Sequence, residues 1–341
     1  MGGTSSERDV SLASGLRIAE ALRTRGHSVR AIDTARGALT EADEGRMLAA
    51  GVVKQQPPTP SELARMNAES VAETAARLPK RGECDVAFLA LHGGRGEDGT
   101  IQALLDLAGV PYTGSGHLPS ALAMDKDLSK QLFRAHGVGT AHWLMATDRS
   151  SPPSASEVER VLGLPVIVKP SKQGSTVGLS IVKQEADLAP AIAEAFEHDD
   201  EVMIEQFIAG RELTVGILGG EALPVGEIIP KHEIYDYECK YTPGMAEEIF
   251  PAPLTAEQTV AVQTQARQAF AALKLGGCAR IDFRMSASGE FYCLEANTLP
   301  GMTATSLIPQ AAAAAGIPFP ELCERIALLA TEALTPADVN P

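Results

Sequence analysis

Aromatic residues are scarce in this sequence. Phe, Trp and Tyr together make up 4% of 341 residues, with a single Trp. Stacking platforms for single-stranded nucleic acid need more than that, and a formal net charge of −15 repels a polyphosphate backbone. Nucleic acid is therefore not an expected partner. Cysteine is also sparse: Cys84, Cys239, Cys278, Cys293 and Cys323 are odd in number, and no CxxC pair occurs. A disulfide framework or zinc site is disfavoured, a reducing compartment fits, and the cysteines read as small core residues within apolar runs. No apolar run is long enough to span a bilayer, and the N-terminus lacks a basic region followed by a hydrophobic segment. The expectation is a cytoplasmic protein with no membrane association. With 45% apolar and 21% charged residues, the composition is that of a globular protein of two or three domains.

No internal repeat is visible. In the first third, strand and helix patterns alternate: a helix over 10–25, a strand at 29–32, a helix from Ser61 to Leu78, a buried strand Val86–Leu91 and a helix Thr100–Ala108. That order argues for a parallel sheet covered by helices. The middle reads as one helix over 118–135 followed by short strands at 143–145, 165–169, 179–182 and 202–205, an α+β unit. The last third has a strand at 212–218, a polar loop at 230–245, a helix at 256–275, and a hairpin of 279–285 and 290–294 turning at Ser286–Gly289. A helix over 320–334 closes the chain.

Five segments carry candidate chemistry. Alternation on a strand puts Arg280 with Asp282, and Glu295 with Asn297, on common faces. If the two faces coincide, three oxygen ligands and a guanidinium converge, a hard-cation set suited to magnesium and its phosphates. A solvated polar face is the alternative. The loop Lys169-Pro170-Ser171-Lys172-Gln173-Gly174-Ser175-Thr176-Val177-Gly178 could bring backbone N–H groups and hydroxyls to phosphate oxygens, though it lacks the Walker A order and also reads as a surface turn. Gly2-Gly3-Thr4-Ser5-Ser6-Glu7 leads into a helix and could hold an anion there, present Glu7 to an ammonium, or simply cap the helix. The loop His92–Gly99 follows a strand, where open α/β sheets place ligands, but a His in a Gly-rich turn is often structural. Tyr235–Tyr241 lies in a loop of lid length, or in a plain surface connection.

Taken in order, GGTSSERDVS, LHGGRGEDGT, PYTGSG, SALAMDKDLSK, GLPVIVKPSKQGSTVGLS, YDYECKY, ARIDF and LEANTLPGMTATSLIP resemble the D-alanine–D-alanine ligase family of the ATP-grasp superfamily over nearly the whole chain. The resemblance implies an N-terminal Rossmann-like domain (1–114), a central ATP-grasp subdomain (115–205) and a C-terminal one (206–341) with a lid at 230–245. It implies ATP-dependent joining of two D-alanines through an acyl phosphate, for peptidoglycan precursors, with two Mg²⁺ ions for which Mn²⁺ could substitute, and a homodimer.

By the same resemblance, Lys126 and Lys169 bind the ATP phosphates, Glu205 and Glu212 hold the adenosine, and Lys240 reaches the transferred phosphoryl. Asp282, Glu295 and Asn297 hold the metals. Arg280 and the Gly301 N–H stabilise the oxyanion. Glu7, in a set with Ser175 and Tyr241, binds the first D-alanine's ammonium. Ser306 and the Leu307 backbone take the second substrate's carboxylate, and His92 lines that pocket. Tyr241 favours an amine over a hydroxy acid. The implied alternatives are a D-alanine–D-serine or other carboxylate–amine ligase, and a non-catalytic nucleotide-binding relative. Relatives carry a short apolar strand just before the GG-T-S segment, whereas here Met1 precedes Gly2-Gly3 directly. The expectation is an upstream start, with the strand's neighbours left unpaired and Glu7 unanchored without it.

Overall fold

The position of the charged residues follows from the strands that carry them. The computed structural model describes residues 1–5, 7–50, 71–174, 176–235, 239, 240, 242 and 244–332. Strands β3 (Trp143–Ala146), β4 (Val166–Pro170), β5 (Ser180–Val182) and β6 (Val202–Gln206) form an antiparallel sheet in the order β3-β6-β4-β5. Val166, Val168, Val182, Val202 and Ile204 pack against the helices Ala155–Leu162 and Leu188–Ala195 in one core. Period-2 alternation then turns Ile167, Lys169 and Glu205 to the other face.

The second sheet repeats this logic. Its described strands run β10 (Ala246–Ile249), β9 (Gly226–Pro230), β7 (Arg211–Leu218), β11 (Cys278–Met285) and β12 (Phe291–Asn297), and β8 (Glu221–Ala222) pairs with β7. Leu213, Val215, Ile217, Ala279, Ile281 and Phe283 pack with Val262, Ala266 and Ala269 of the helix Ala256–Ala272, which starts at a Thr255/Gln258 capping box. Glu212, Arg280, Asp282 and Arg284 therefore share the opposite face. Between β11 and β12 the register pairs Arg280 with Asn297 and Asp282 with Glu295, then shifts so that Phe283 pairs with Cys293. Leu294 is the extra residue of this bulge.

Helix and strand bounds differ from the expected ones at informative places. The helix expected over 118–135 is two helices, His117–Met124 and Lys126–Ala135. Asp125 breaks it with extended backbone (φ −83°, ψ 103°), and its carboxylate accepts the Leu128 N–H at 3.0 Å. Lys126 thus opens a helix instead of sitting within one. The loop 230–245 joins β9 to β10, whose ends meet at Pro230 and Ala246. Helix Ser61–Leu78 is described only from Val71 to Arg77, and its expected start lies outside the described residues.

Val86–Leu91 is not a strand. Its sheet-like pairing is a parallel bridge of Ala87 to Tyr112, with Ala87 N–H on Pro111 O (2.7 Å) and Thr113 N–H on Ala87 O (3.1 Å). Among the described residues, the Phe88 and Ala90 N–H groups on the other edge make no hydrogen bond. That edge borders a cavity of 630 Å³ lined by Ile18, Leu22, Val29, Ile32, Phe88 and others. A strand is assigned by its ladder, and here one side of the ladder is open. The 29–32 segment likewise shrinks to the short hairpin β1 (Ile32–Asp33) and β2 (Gly37–Ala38).

Glu7 is nevertheless anchored, contrary to expectation. The helix Arg8–Thr24 is fastened to the rest by Arg8 on Asp33 and on Gly3 O (2.7 Å), by Ser11 Oγ on Ala90 O, and by Arg17 on Met302 O and Thr303 O (2.9 Å each). These side-chain bonds tie the start of the helix to the residues around it. No described helix is long and apolar enough to cross a membrane.

Candidate active site

Two compartments lie between the sheets and the N-terminal helix, and they share Tyr235, Lys240, Arg280 and Leu307 in their walls. The first is lined by Lys126, Lys169, Glu205, Glu212, Asp282 and Glu295, with Ile167, Phe207 and Leu294 among its apolar surfaces. At its centre Glu205, 2% exposed, accepts from Lys169 Nζ at 2.6 Å and from Lys130 Nζ. Burial alone would raise this carboxyl, but the two lysines hold it down at about 2. Burial pulls Lys130 the other way, below its ordinary value. Lys130 is a site residue that the sequence reading missed. Its signal is the four-residue spacing from Lys126, which puts both on one side of a helix.

The hairpin faces coincide. Arg280 chelates Asp282 through Nε on Oδ1 and Nη2 on Oδ2, each at 2.9 Å, and Asn297 Nδ2 donates to Asp282 Oδ2 at 3.0 Å. Asp282 and Glu295 stand directly opposite each other, an arrangement that repels unless cations intervene. Lys126 Nζ lies 3.5 Å from Glu295. Against burial, Lys126, Lys240, Lys169 and Arg280 hold Glu295 at about 2. Two carboxylates and an amide, all able to offer oxygen ligands, fit a hard cation that keeps water and phosphate oxygens as its other ligands. No cluster of three His, Cys, Asp or Glu residues suited to enclosing a metal occurs among the described residues. Glu212 differs: Arg284 is 3.6 Å away, and burial lifts its carboxyl to about 7.

The second compartment gathers Glu7, His92, Glu97, Gly301, Ser306 and Leu307 around Arg280 and Asn297. Glu7 is 8% exposed, and a Cβ built on Gly93 would come within 3.1 Å of its Oε2. His92 Nδ1 lies 2.9 Å from Leu299 O, and its Nε2 lies 3.3 Å from Ser14 Oγ. These partners place the proton on Nδ1, and burial lowers the imidazole's affinity for a second one, so His92 is neutral at pH 7. Ser306 precedes the helix Leu307–Ala314, accepts the Thr303 N–H at 3.0 Å, and sits so close that a Cβ on Gly301 would lie 2.7 Å from its Oγ. Only glycine fits at 301 without moving Ser306. Tyr235 donates to Glu248 at 2.9 Å and stacks with Lys240, whose Nζ lies 5.6 Å from the ring centroid. Ser175 and Tyr241, expected beside Glu7, lie outside the described residues.

Two antiparallel sheets facing each other across a cleft of lysines and carboxylates make an ATP-grasp architecture. The chain belongs to the D-alanine–D-alanine ligase family: residues 1–115 match the D-ala D-ala ligase N-terminus, and 132–328 match the C-terminus. It is 44% identical over 330 residues to the D-alanine–D-alanine ligase of Syntrophotalea carbinolica, covering 96% of this chain and 93% of that one. It is also 44% identical over 326 residues to that of Geotalea uraniireducens, covering 96% and 92%. The crystal structure of the Bacillus anthracis D-alanine–D-alanine ligase complexed with ATP superposes with a TM-score of 0.73 at 31% identity, covering 98% of this chain and 95% of the other.

Proposed function

We propose that this chain joins two molecules of D-alanine with ATP to give D-alanyl-D-alanine, for peptidoglycan precursors made in the cytoplasm. The observation that carries the reading is the shared wall: a lysine- and carboxylate-lined compartment opens onto one lined by Glu7 and a helix N-terminus, and Arg280 and Lys240 stand in both. ATP lies in the first, with its phosphates on Lys126 and Lys169 as point charges, its adenosine toward Glu205 and Glu212, and its transferred phosphoryl near Lys240. Asp282, Glu295 and Asn297 hold Mg²⁺, or Mn²⁺ in its place, which neutralises charge on the phosphates.

In the second compartment Glu7, with Ser175 and Tyr241, takes the first D-alanine's ammonium, and its carboxylate attacks the γ-phosphorus. ADP leaves, and a D-alanyl phosphate remains. The amine of the second D-alanine, whose carboxylate rests on Ser306 and the Leu307 N–H at a helix start, attacks the carbonyl carbon. Arg280 and the Gly301 N–H meet the oxyanion. The C–N bond forms, the C–O bond to phosphate breaks, and the amine's proton goes to solvent or to phosphate. Neutral His92 borders this step without adding charge. The lid between β9 and β10 shields the acyl phosphate from water. The active species is a homodimer, which light scattering tests.

The first test is D-alanine-dependent phosphate release from ATP and Mg²⁺, with L-alanine, D-serine and D-lactate plus D-alanine as controls and the product identified by mass. Release with D-alanine alone and a D-alanyl-D-alanine product support the reading. A mixed D-alanyl-D-serine product moves it to the related ligase, and ATP binding without turnover moves it to a non-catalytic relative.

A further inference from the structure

The helix Lys126–Ala135 carries two lysines four residues apart, and they end in different surroundings. Lys126 lines the nucleotide compartment, its Nζ on Gln173 O at 2.7 Å. Lys130 is fully buried and so meets no bound molecule. Its ammonium has two oxygen acceptors, Glu205 Oε1 and Thr140 Oγ1, the latter at 2.5 Å. Thr140 Oγ1 in turn donates to Cys293 O at 2.8 Å, and Cys293 stands on β12 two residues before Glu295. The other Glu205 oxygen accepts from Lys169 Nζ at 2.6 Å. On a third side Lys130 Nζ lies 5.1 Å from the ring centroid of Trp143, the residue of β3 that pairs with Glu205 of β6. One buried ammonium therefore joins a helix, the β6 carboxylate and, through Thr140, the β12 backbone.

The geometry points to Lys130 as a positioning residue for the nucleotide: from behind the compartment wall it holds Glu205 by one oxygen, so that the other fixes the Lys169 ammonium where the triphosphate is met. The inference rests on the placement of ATP in the first compartment. A carboxylate left with a single lysine turns both oxygens toward it, and an ammonium held that way has fewer N–H groups left for phosphate. With Lys130 on Oε1, Lys169 shares only Oε2 and keeps donors free. The second acceptor adds to this. A lysine bonded to Glu205 alone would follow that side chain, whereas Thr140, tied to Cys293 O, fixes the ammonium to the strand that carries Glu295. Lys169 and Glu295 are thereby set relative to each other by a residue that touches neither substrate nor metal.

The test measures ATP affinity by titration calorimetry without D-alanine, and steady-state kinetics with it, in the full chain carrying Lys130→Met, Glu205→Gln or both. Met keeps the length of the side chain and leaves Glu205 its pair with Lys169. Lys130→Met is expected to weaken ATP binding about 10- to 100-fold and to raise the KM for ATP in step. Its kcat at saturating ATP and its KM for D-alanine should stay within about twofold of the wild type. In the Glu205→Gln background the same change should weaken ATP by less than about twofold further, since a residue that acts through Glu205 has nothing left to act on. Should Glu205→Gln fail to fold, Thr140→Val takes its place: it keeps both charges and is expected to weaken ATP about 3- to 10-fold. Unchanged ATP affinity in Lys130→Met, whatever its melting temperature, overturns the proposal and leaves Lys130 a structural residue. An undiminished loss from Lys130→Met in the Glu205→Gln background, or an unaltered affinity in Thr140→Val, overturns it in favour of a bare charge effect. A wild type that binds no ATP removes the nucleotide reading and the inference with it. A wild type that binds ATP but forms no dipeptide removes the ligase reading alone, and the calorimetry still decides the role of Lys130.

Discussion

The nucleotide compartment and the substrate compartment treat buried carboxyl groups in opposite ways. Glu205 and Glu295 in the first are crowded by lysines and stay ionised down to about pH 2. Glu97 in the second faces Glu7 and keeps its proton up to about pH 8. Burial is common to all three, so the sign is decided by what surrounds each group. A site that must hold triphosphate carries excess positive charge, and carboxylates inside it are stabilised as anions. In the other compartment no lysine cluster offsets the cost of burial, and burial together with the neighbouring Glu7 keeps the Glu97 carboxyl neutral.

Removing Glu205 should give the largest effect, because it strands Lys130 and Lys169 unpaired in a buried place. Glu205→Ala is expected to cost about 3–5 kcal/mol of stability in denaturant titration. A loss below about 1 kcal/mol would mean that the lysines are solvated and the compartment is not as charge-dense as drawn. Asp282→Asn should lower kcat by about 10²–10³-fold, and the deficit should persist at saturating Mg²⁺. Full recovery with excess metal would limit Asp282 to affinity. Ser306→Ala should raise the KM for the second D-alanine by about tenfold and leave kcat nearly intact, the pattern of a lost binding contact. A matched fall in kcat would instead place Ser306 at the reacting centre.

The smallest effect is a slope. Glu205 and Glu295, lowered from 4.5 to about 2, contribute stability that is present above 4.5 and lost as pH falls through 2. Glu97, raised from 4.5 to about 8, contributes stability that is full below 4.5 and lost as pH rises through 8. Thermal melts of Glu97→Gln should therefore decline less between pH 4.5 and 8 than those of the wild type, with no change on the acid side. Parallel curves across that window would show that the two compartments do not differ as described.

The nucleotide side was the more legible in sequence. Its key pairs sit on a hairpin closed by the short Ser286–Gly289 turn, where local register and alternation suffice to place Arg280, Asp282, Glu295 and Asn297 together. Lys126 was legible as a residue but not as a helix start, because Met124-Asp125-Lys126 keeps helical spacing and only the Asp125 backbone shows the break. The strands β9 and β10 were hidden by the polar loop they flank. The substrate side depends on contacts distant in sequence, such as Arg17 to Met302 and His92 to Leu299, which no local pattern encodes. Val86–Leu91 has the composition of a buried strand but pairs along one edge only, since composition cannot show whether a partner lies alongside.

The bulge at Leu294 has a consequence for how this hairpin tolerates change in length. Cys293 already faces the core opposite Phe283, and Glu295 faces the cleft opposite Asp282. Taking Leu294 out would join them as neighbours on a regular ladder, each still on its own side. A one-residue deletion, which elsewhere in a strand inverts every side chain beyond it, would here leave Glu295 and Asn297 in phase. What would go is the leucine that walls the nucleotide compartment beside Glu295. At this position the chain carries a residue for its surface alone, outside the count that keeps the sheet in step.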